Sequence, residues 1–268
     1  MSGKQARRRK QQVAAPPPVA RKGAPRRASP KVLAAAAVAG LVVIAAGVGI
    51  ALAFGGNSSS SAGTIPTRGS LTNALPNAGV VQREFAGIPQ RGLVLGSPKA
   101  PVTMIEYIDL QCPGCRAFET GVLPSIVPEF VRTGKLKIEA RPIAFIGPDS
   151  FSARKAMIAA SEQNRAFNFA QVIYANQGTE NTGWLNQTFI EHAAASVPGM
   201  DVRRLTNEQN STFVTNATHR IDGQATADRV SETPTLLLGK TGSKLSPVSS
   251  AATFDPAKLA AAIRSSLG

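Results

Sequence analysis

Cys112-Pro113-Gly114-Cys115 carries the chemistry of this chain, and these are its only two cysteines. A strand-like run, Val102 to Asp109, precedes the pair, and a helix-like run begins with it. A helix start favours thiolate on the first cysteine, so thiols placed there make a redox device. The two-residue spacing also lets the pair close into one small disulfide ring. Two other readings compete. A lone C-x-x-C is half a zinc site, but the remaining soft ligands, His192 and His219, match no finger or ribbon spacing. A purely structural disulfide across so short a loop would add little stability, since the closure gain grows with loop length.

Glu106 is the second candidate. Residues two apart on a strand share a face, which puts Glu106 with Val102, Met104 and Ile108. A carboxylate on an apolar face has a raised pKa. Asp109 reads as a turn or cap residue. His192 and His219 lie among polar neighbours on helix-like segments and read as surface residues, and Trp184 reads as packing. Phe167, Phe169 and Tyr174, at near-helical spacing, read as core.

The elements that must position these groups follow from composition and period. Val102 to Asp109 is a strand by its β-branched and aromatic content. Cys112 to about Arg132 is a helix kinked at Pro124 and Pro128. Lys135 to Ala140 is a strand, and Ser150 to Ala175 is one long helix or two. Leu185 to Ala195, Arg203 to Asn210 and Thr212 to Arg229 are helical. Thr235 to Leu238 is a short strand, Gly239 to Gly242 a hairpin turn, and Leu245 to Ser249 its return strand. Asp255 to Leu267 is an amphipathic helix capped at Asp255. The order predicts an α/β domain over 91–268, with a helical insertion over about 150–229.

The net charge of +14 is concentrated at one end. Ten Lys or Arg residues and no acid precede Val32, leaving about +4 for the remainder. The body of the chain therefore has no nucleic-acid signature, and 1–31 reads as a disordered basic cytoplasmic tail. Val32 to Phe54 is 23 residues without a charged or polar side chain. As one transmembrane helix it spans the hydrocarbon core, and the positive-inside bias puts everything after it outside the cytoplasm. A cleaved signal peptide is the competing reading, although its apolar core would be shorter. Residues 55–90, rich in Ser, Gly, Asn, Thr and Pro, read as a flexible extracytoplasmic linker, with short local structure against the domain over Leu71 to Phe85.

Gly92-Leu93-Val94-Leu95-Gly96-Ser97-Pro98-Lys99-Ala100-Pro101-Val102-Thr103, Glu106-Tyr107, Gln111 to Cys115, and the later Val230-Ser231-Glu232-Thr233-Pro234-Thr235 form a recognisable set. They resemble the DsbA-type branch of the thioredoxin superfamily, specifically its membrane-anchored bacterial members, over about Gly92 to Leu267. Two residues depart from that pattern: Gly114, where His or a bulky residue is common, and Glu232, where glycine is common. The resemblance implies a thioredoxin fold with an inserted helical domain, here preceded by the one transmembrane helix. It implies a cis Thr233-Pro234 peptide beside the disulfide, which exposes the Thr233 backbone to substrate. Cys112 is then the attacking cysteine and Cys115 the buried resolving one. Glu106 is the buried acid that relays the Cys115 proton.

The function expected is an extracytoplasmic thiol–disulfide oxidoreductase that forms or rearranges disulfides in exported proteins. It needs no cofactor beyond its redox-active disulfide. Its partners are cysteine-containing exported proteins and a membrane redox partner that reoxidises the site. The alternatives are an extracytoplasmic thiol reductant, as in cytochrome maturation, and a non-catalytic thioredoxin-like binding domain. Outside the membrane no cytosolic thiol pool holds cysteines reduced, which favours a net oxidant. The expected potential is nearer about −120 mV than the thioredoxin value of about −270 mV.

Overall fold

The computed structural model describes residues 64–268. The expected tail (1–31), the expected span (Val32 to Phe54) and the first part of the expected linker lie outside the described residues. Among those described, no helix is long and apolar enough to cross a membrane.

Six strands form one sheet in the order β1-β2-β4-β3-β5-β6. They are β1 Gln90–Arg91, β2 Val94–Leu95, β3 Val102–Ile108, β4 Leu136–Pro142, β5 Thr235–Lys240 and β6 Ser246–Pro247. β3 is central, parallel to β4 and antiparallel to β5. Apart from Thr103 its side chains are buried, which is why VTMIEYI reads as a nearly continuous apolar run. β4 alternates buried and half-buried positions, as a strand with one wetter face does.

The helices are α1 Ala78–Phe85, α2 (113–131), α3 Pro148–Ser161, α4 Ala166–Ala175, α5 Gln187–Ala195, α6 Val202–Glu208, α7 Thr212–Ala227, α8 Ser250–Thr253 and α9 Pro256–Leu267. α3 to α7 form the expected insertion between β4 and β5. The stretch 150–175 resolves into two helices, broken at 162–165, where Asn164 adopts a left-handed conformation. All of α4 except its last residue is buried, Phe167, Phe169 and Tyr174 included. The Asp255 carboxylate caps α9 through the amides of Ala257 and Lys258, as expected.

Three expectations are corrected. The flexible linker is shorter than expected: the local structure expected against the domain over Leu71 to Phe85 is present as α1, and Thr67 to Ser70 is held to the domain too. Ala78, Val81 and Phe85 of α1 are buried, and Phe85 meets Phe167 edge-on at 6.3 Å. Gly69 exchanges backbone hydrogen bonds with Met200 and Gly199, so close to the chain that a Cβ would collide with the Val197 carbonyl. Second, α2 is not simply kinked at its prolines. It holds two π-turns, Phe118–Val122 and Val127–Val131, closed by Leu123 N–H to Phe118 O and Arg132 N–H to Val127 O. Pro124 and Pro128 have no N–H to give, and the widened turns absorb that loss. Third, the return strand after β5 is only two residues long, and a β1–β2 hairpin extends the opposite edge of the sheet.

Candidate active site

β3 delivers the chain to the redox pair. The loop 109–112 turns it, with Cys112 N–H bonded to Asp109 O at 3.0 Å, and α2 begins at Pro113. Cys112 is the N-cap, in extended conformation, with the amide of Cys115 aimed at its Sγ at 3.4 Å. Pro113 takes the first helical position, where a missing N–H costs nothing. Both cysteines are free, so this is the dithiol state.

The two thiols are unlike. Cys112 Sγ sits 3.3 Å from the Thr233 carbonyl oxygen. Its pKa is lowered from 9.0 to about 6. The largest cause is the hydrogen bond from the Cys115 thiol, and burial opposes it. Thr233 and the amides of Cys115 and Gly114 add to the lowering. Cys115 is fully buried, and burial, followed by the neighbouring Cys112 sulfur, pushes its pKa well up. At neutral pH the site therefore holds a Cys112 thiolate beside a Cys115 thiol.

The Thr233-Pro234 peptide is cis. It sits against the start of α2, where a Cβ on Gly114 would lie 3.3 Å from Pro234 Cδ and 3.4 Å from Thr233 O. The structure thus brings Cys112, Cys115, Thr233 and Pro234 together. Beside the loop runs a groove of about 240 Å³, lined by Thr233, Pro234, Leu237, Val248 and Phe254 among others.

Glu106 lies in the middle of β3, between Ala140 of β4 and Leu236 of β5, and is 1% exposed. Neither carboxylate oxygen has a hydrogen-bond partner. Burial raises its pKa from 4.5 to about 8. His192 and His219 are exposed, and Trp184 packs on Phe189 at 5.0 Å. Among the described residues no group of three His, Cys, Asp or Glu is disposed to hold a metal ion.

Asp109 does more than a turn residue. It is fully buried, and its carboxylate accepts from the amides of Gln111 (2.9 Å), Phe145 (2.6 Å) and Ile146 (2.8 Å) and from the Ser150 hydroxyl (2.8 Å). Tyr174 Oη donates to Asp109 O, and Gln177 Nε2 donates to the carbonyls of Leu110 and Cys112. This network fixes the loop that carries Cys112. Apart from the Gln111 amide, its donors lie 36 to 67 positions downstream of the loop residues they hold, so little in the local sequence announces it.

The protein family described as thioredoxin matches residues 90–252. The chain belongs to that family. It is 26% identical over 145 residues to the probable disulfide bond formation protein D of Bacillus anthracis, covering 53% of this chain and 67% of the relative. Two further Bacillus relatives are spanned over 56% and 47% of their length. Oxidised BdbD from Bacillus subtilis superposes with a TM-score of 0.58 at 20% identity, covering 67% of this chain and 97% of that one. Wolbachia pipientis α-DsbA1 does so with a TM-score of 0.56 at 19% identity, over 68% and 92%. The expected thioredoxin-like α/β fold with a helical insertion is borne out, and so is thiol–disulfide oxidoreductase as the enzyme class.

Proposed function

We propose that this chain is a membrane-anchored, extracytoplasmic oxidoreductase that transfers its Cys112–Cys115 disulfide to cysteine-containing exported proteins. One observation carries the reading: the pair is asymmetric, with a low-pKa Cys112 at a helix start and a buried, high-pKa Cys115. A substrate thiolate attacks Cys112 Sγ, and the Cys112–Cys115 bond breaks. Cys115 leaves and becomes a thiol. A second substrate thiolate then attacks the substrate sulfur of the mixed disulfide, and Cys112 departs as the better leaving group. The Thr233 carbonyl offers backbone pairing to the substrate strand, and the adjoining groove takes its side chains. A separate membrane partner reoxidises the dithiol, since the chain has no second cysteine pair. Glu106 serves as the acid that supplies the Cys115 proton. The basic segment before Val32 and the 23 apolar residues after it support the anchoring and the outward orientation.

A Cys112 pKa of about 6 lies between those of thioredoxin, about 7, and DsbA, about 3.5. Stabilising the thiolate stabilises the reduced form, which supports the oxidant and a potential nearer about −120 mV than about −270 mV. Gly114, where a bulky residue is common, favours the reductant as the second reading. Equilibration with glutathione buffers decides: a potential above the thioredoxin value, with oxidation of a reduced unfolded substrate that Cys112→Ser abolishes, supports the oxidant. A potential below it transfers the site to the reductant reading. Protease added to intact cells should remove the redox domain and spare the N-terminal tail, whereas a protected domain defeats the orientation.

A further inference from the structure

Glu106 has no route to solvent of its own, since it is enclosed by β4 and β5 and its oxygens meet no polar partner. A proton relay on a buried thiol must end at water. Two other carboxylates provide that end. Glu119 stands four residues after Cys115 on α2 and is 2% exposed. Its Oε2 accepts from Gln171 Nε2 of α4 at 2.7 Å, while Oε1 is buried with no partner. Glu84, on α1, is half-buried and has an unpartnered oxygen too. Both line one cavity of about 400 Å³ between α1, α2 and α4. Exposed Val80, Arg116 and Thr120 at its rim bring it to the surface, and its volume accommodates waters.

We infer that Glu119 and Glu84 extend Glu106 into a proton conduit that joins the Cys115 thiol to solvent through this cavity. The inference rests on the oxidoreductase reading and deepens it. Burial raises the Glu119 pKa, and charge on Glu106, then on Glu84, raises it further, so Glu119 senses both of the others. Glu84 is raised by burial to about 7, a value suited to exchange with neutral water. Other ionisable groups near the cluster are Arg116 at the cavity rim, Arg83 and Arg132, which line a second pocket with Glu84, and Tyr174 of α4, whose burial keeps it a neutral phenol.

The step balances as follows. Attack on Cys112 forms the substrate–Cys112 bond and leaves the electron pair of the broken disulfide on Cys115 Sγ. Glu106 gives that sulfur a proton. Glu119 then reprotonates Glu106, Glu84 reprotonates Glu119, and solvent reprotonates Glu84. Reoxidation runs the chain backwards.

The test uses the oxidised full-length protein, dithiothreitol as the reducing probe, and acid quenching with alkylation to follow a single turnover. Glu119→Gln and Glu84→Gln should each slow reduction roughly tenfold, less than the 10²–10⁴-fold typical of a group at the reacting atom. Because the carboxyls act in series, either change in a Glu106→Gln background should slow it by less than about twofold. Acetate should restore much of the rate of Glu84→Ala, and the alkylation midpoint of Cys112 should not move. Unchanged rates in the single variants, or the same slowing with and without Glu106, would overturn the conduit. A wild-type disulfide that dithiothreitol leaves intact would instead defeat the oxidoreductase reading itself.

Discussion

Replacing Glu106 by Gln removes a group that the fold holds at a cost, and the cost depends on pH. Its carboxyl has a pKa of about 8 in the folded protein against 4.5 when solvated. Each pH unit between those values is worth about 1.4 kcal/mol, so the full penalty is on the order of 5 kcal/mol. Its sign follows from the direction of the shift. The folded state prefers the neutral acid, so the unfolded state releases the proton first, and stability drops as pH rises from about 4.5 to about 8. Gln does not titrate. Glu106→Gln should therefore match wild type near pH 4, exceed it by roughly 3 kcal/mol at pH 7, and exceed it by about 5 kcal/mol above pH 8. Urea unfolding of the reduced proteins, followed by far-ultraviolet circular dichroism at pH 4, 7 and 8.5, measures the difference. A constant offset from packing leaves this trend untouched. A difference that stays flat across the range would mean that Glu106 is solvated or paired, and both its burial cost and its relay role would go.

Cys112 should be alkylated by iodoacetamide with a midpoint near pH 6; a midpoint near 8.5 would remove the thiolate from the mechanism. Asp109→Asn turns an acceptor toward the amides of Phe145 and Ile146 into a donor, orphaning two N–H groups at about 1–3 kcal/mol each. Unfolding should register a loss of about 2–6 kcal/mol, and a loss under 1 kcal/mol would show that the loop is held by other contacts. Gly114→Ala sets a methyl 3.3 Å from Pro234 Cδ and 3.6 Å from Cys112 Sγ. Alanine is the better helix former by about 1 kcal/mol, so stability should hold while the KM for a cysteine peptide rises; an unchanged KM would place substrate elsewhere.

The redox pair was legible because everything that makes it reactive is local. A β-rich run, a proline at the first helical position and a two-residue spacing put Cys112 at a helix start. Glu106 was legible for a similar reason, since a period of two assigns it to the face of Met104 and Ile108. What sequence order hides is whatever closes across the chain. The π-turns of α2 leave only prolines as a trace, and a proline predicts a lost hydrogen bond without saying how the helix absorbs it. The β1–β2 hairpin pairs strands of two residues each, too short for any period. The burial of α1 depends on Phe167, 82 positions after Phe85. Glu119 gives no signal between Phe118 and Thr120, because an isolated glutamate on a helix is ordinarily a solvated one. Only the packing of α4 and α1 over that face makes it a buried acid.

That burial bears on why the acids are there at all. Glu84, Glu106 and Glu119 are all raised by loss of water, and all have unpartnered oxygens. At Glu106 no hydrogen bond offsets the cost, and an amide there would give the more stable protein at neutral pH. A stability optimum would not retain three such groups in one domain. The chemistry gives a reason to retain them. Cys112 works as an anion, stabilised at a helix start and facing substrate. Cys115 must alternate between sulfur in a disulfide and a neutral thiol, in a place where its thiolate is disfavoured. Every turnover therefore moves one proton into or out of the core. A carboxyl whose pKa lies near neutrality can carry that proton in both directions, whereas an ordinary carboxylate would hold it too weakly. The same desolvation that destabilises the domain thus sets Glu106 to the task, and activity and stability should respond to its removal in opposite senses.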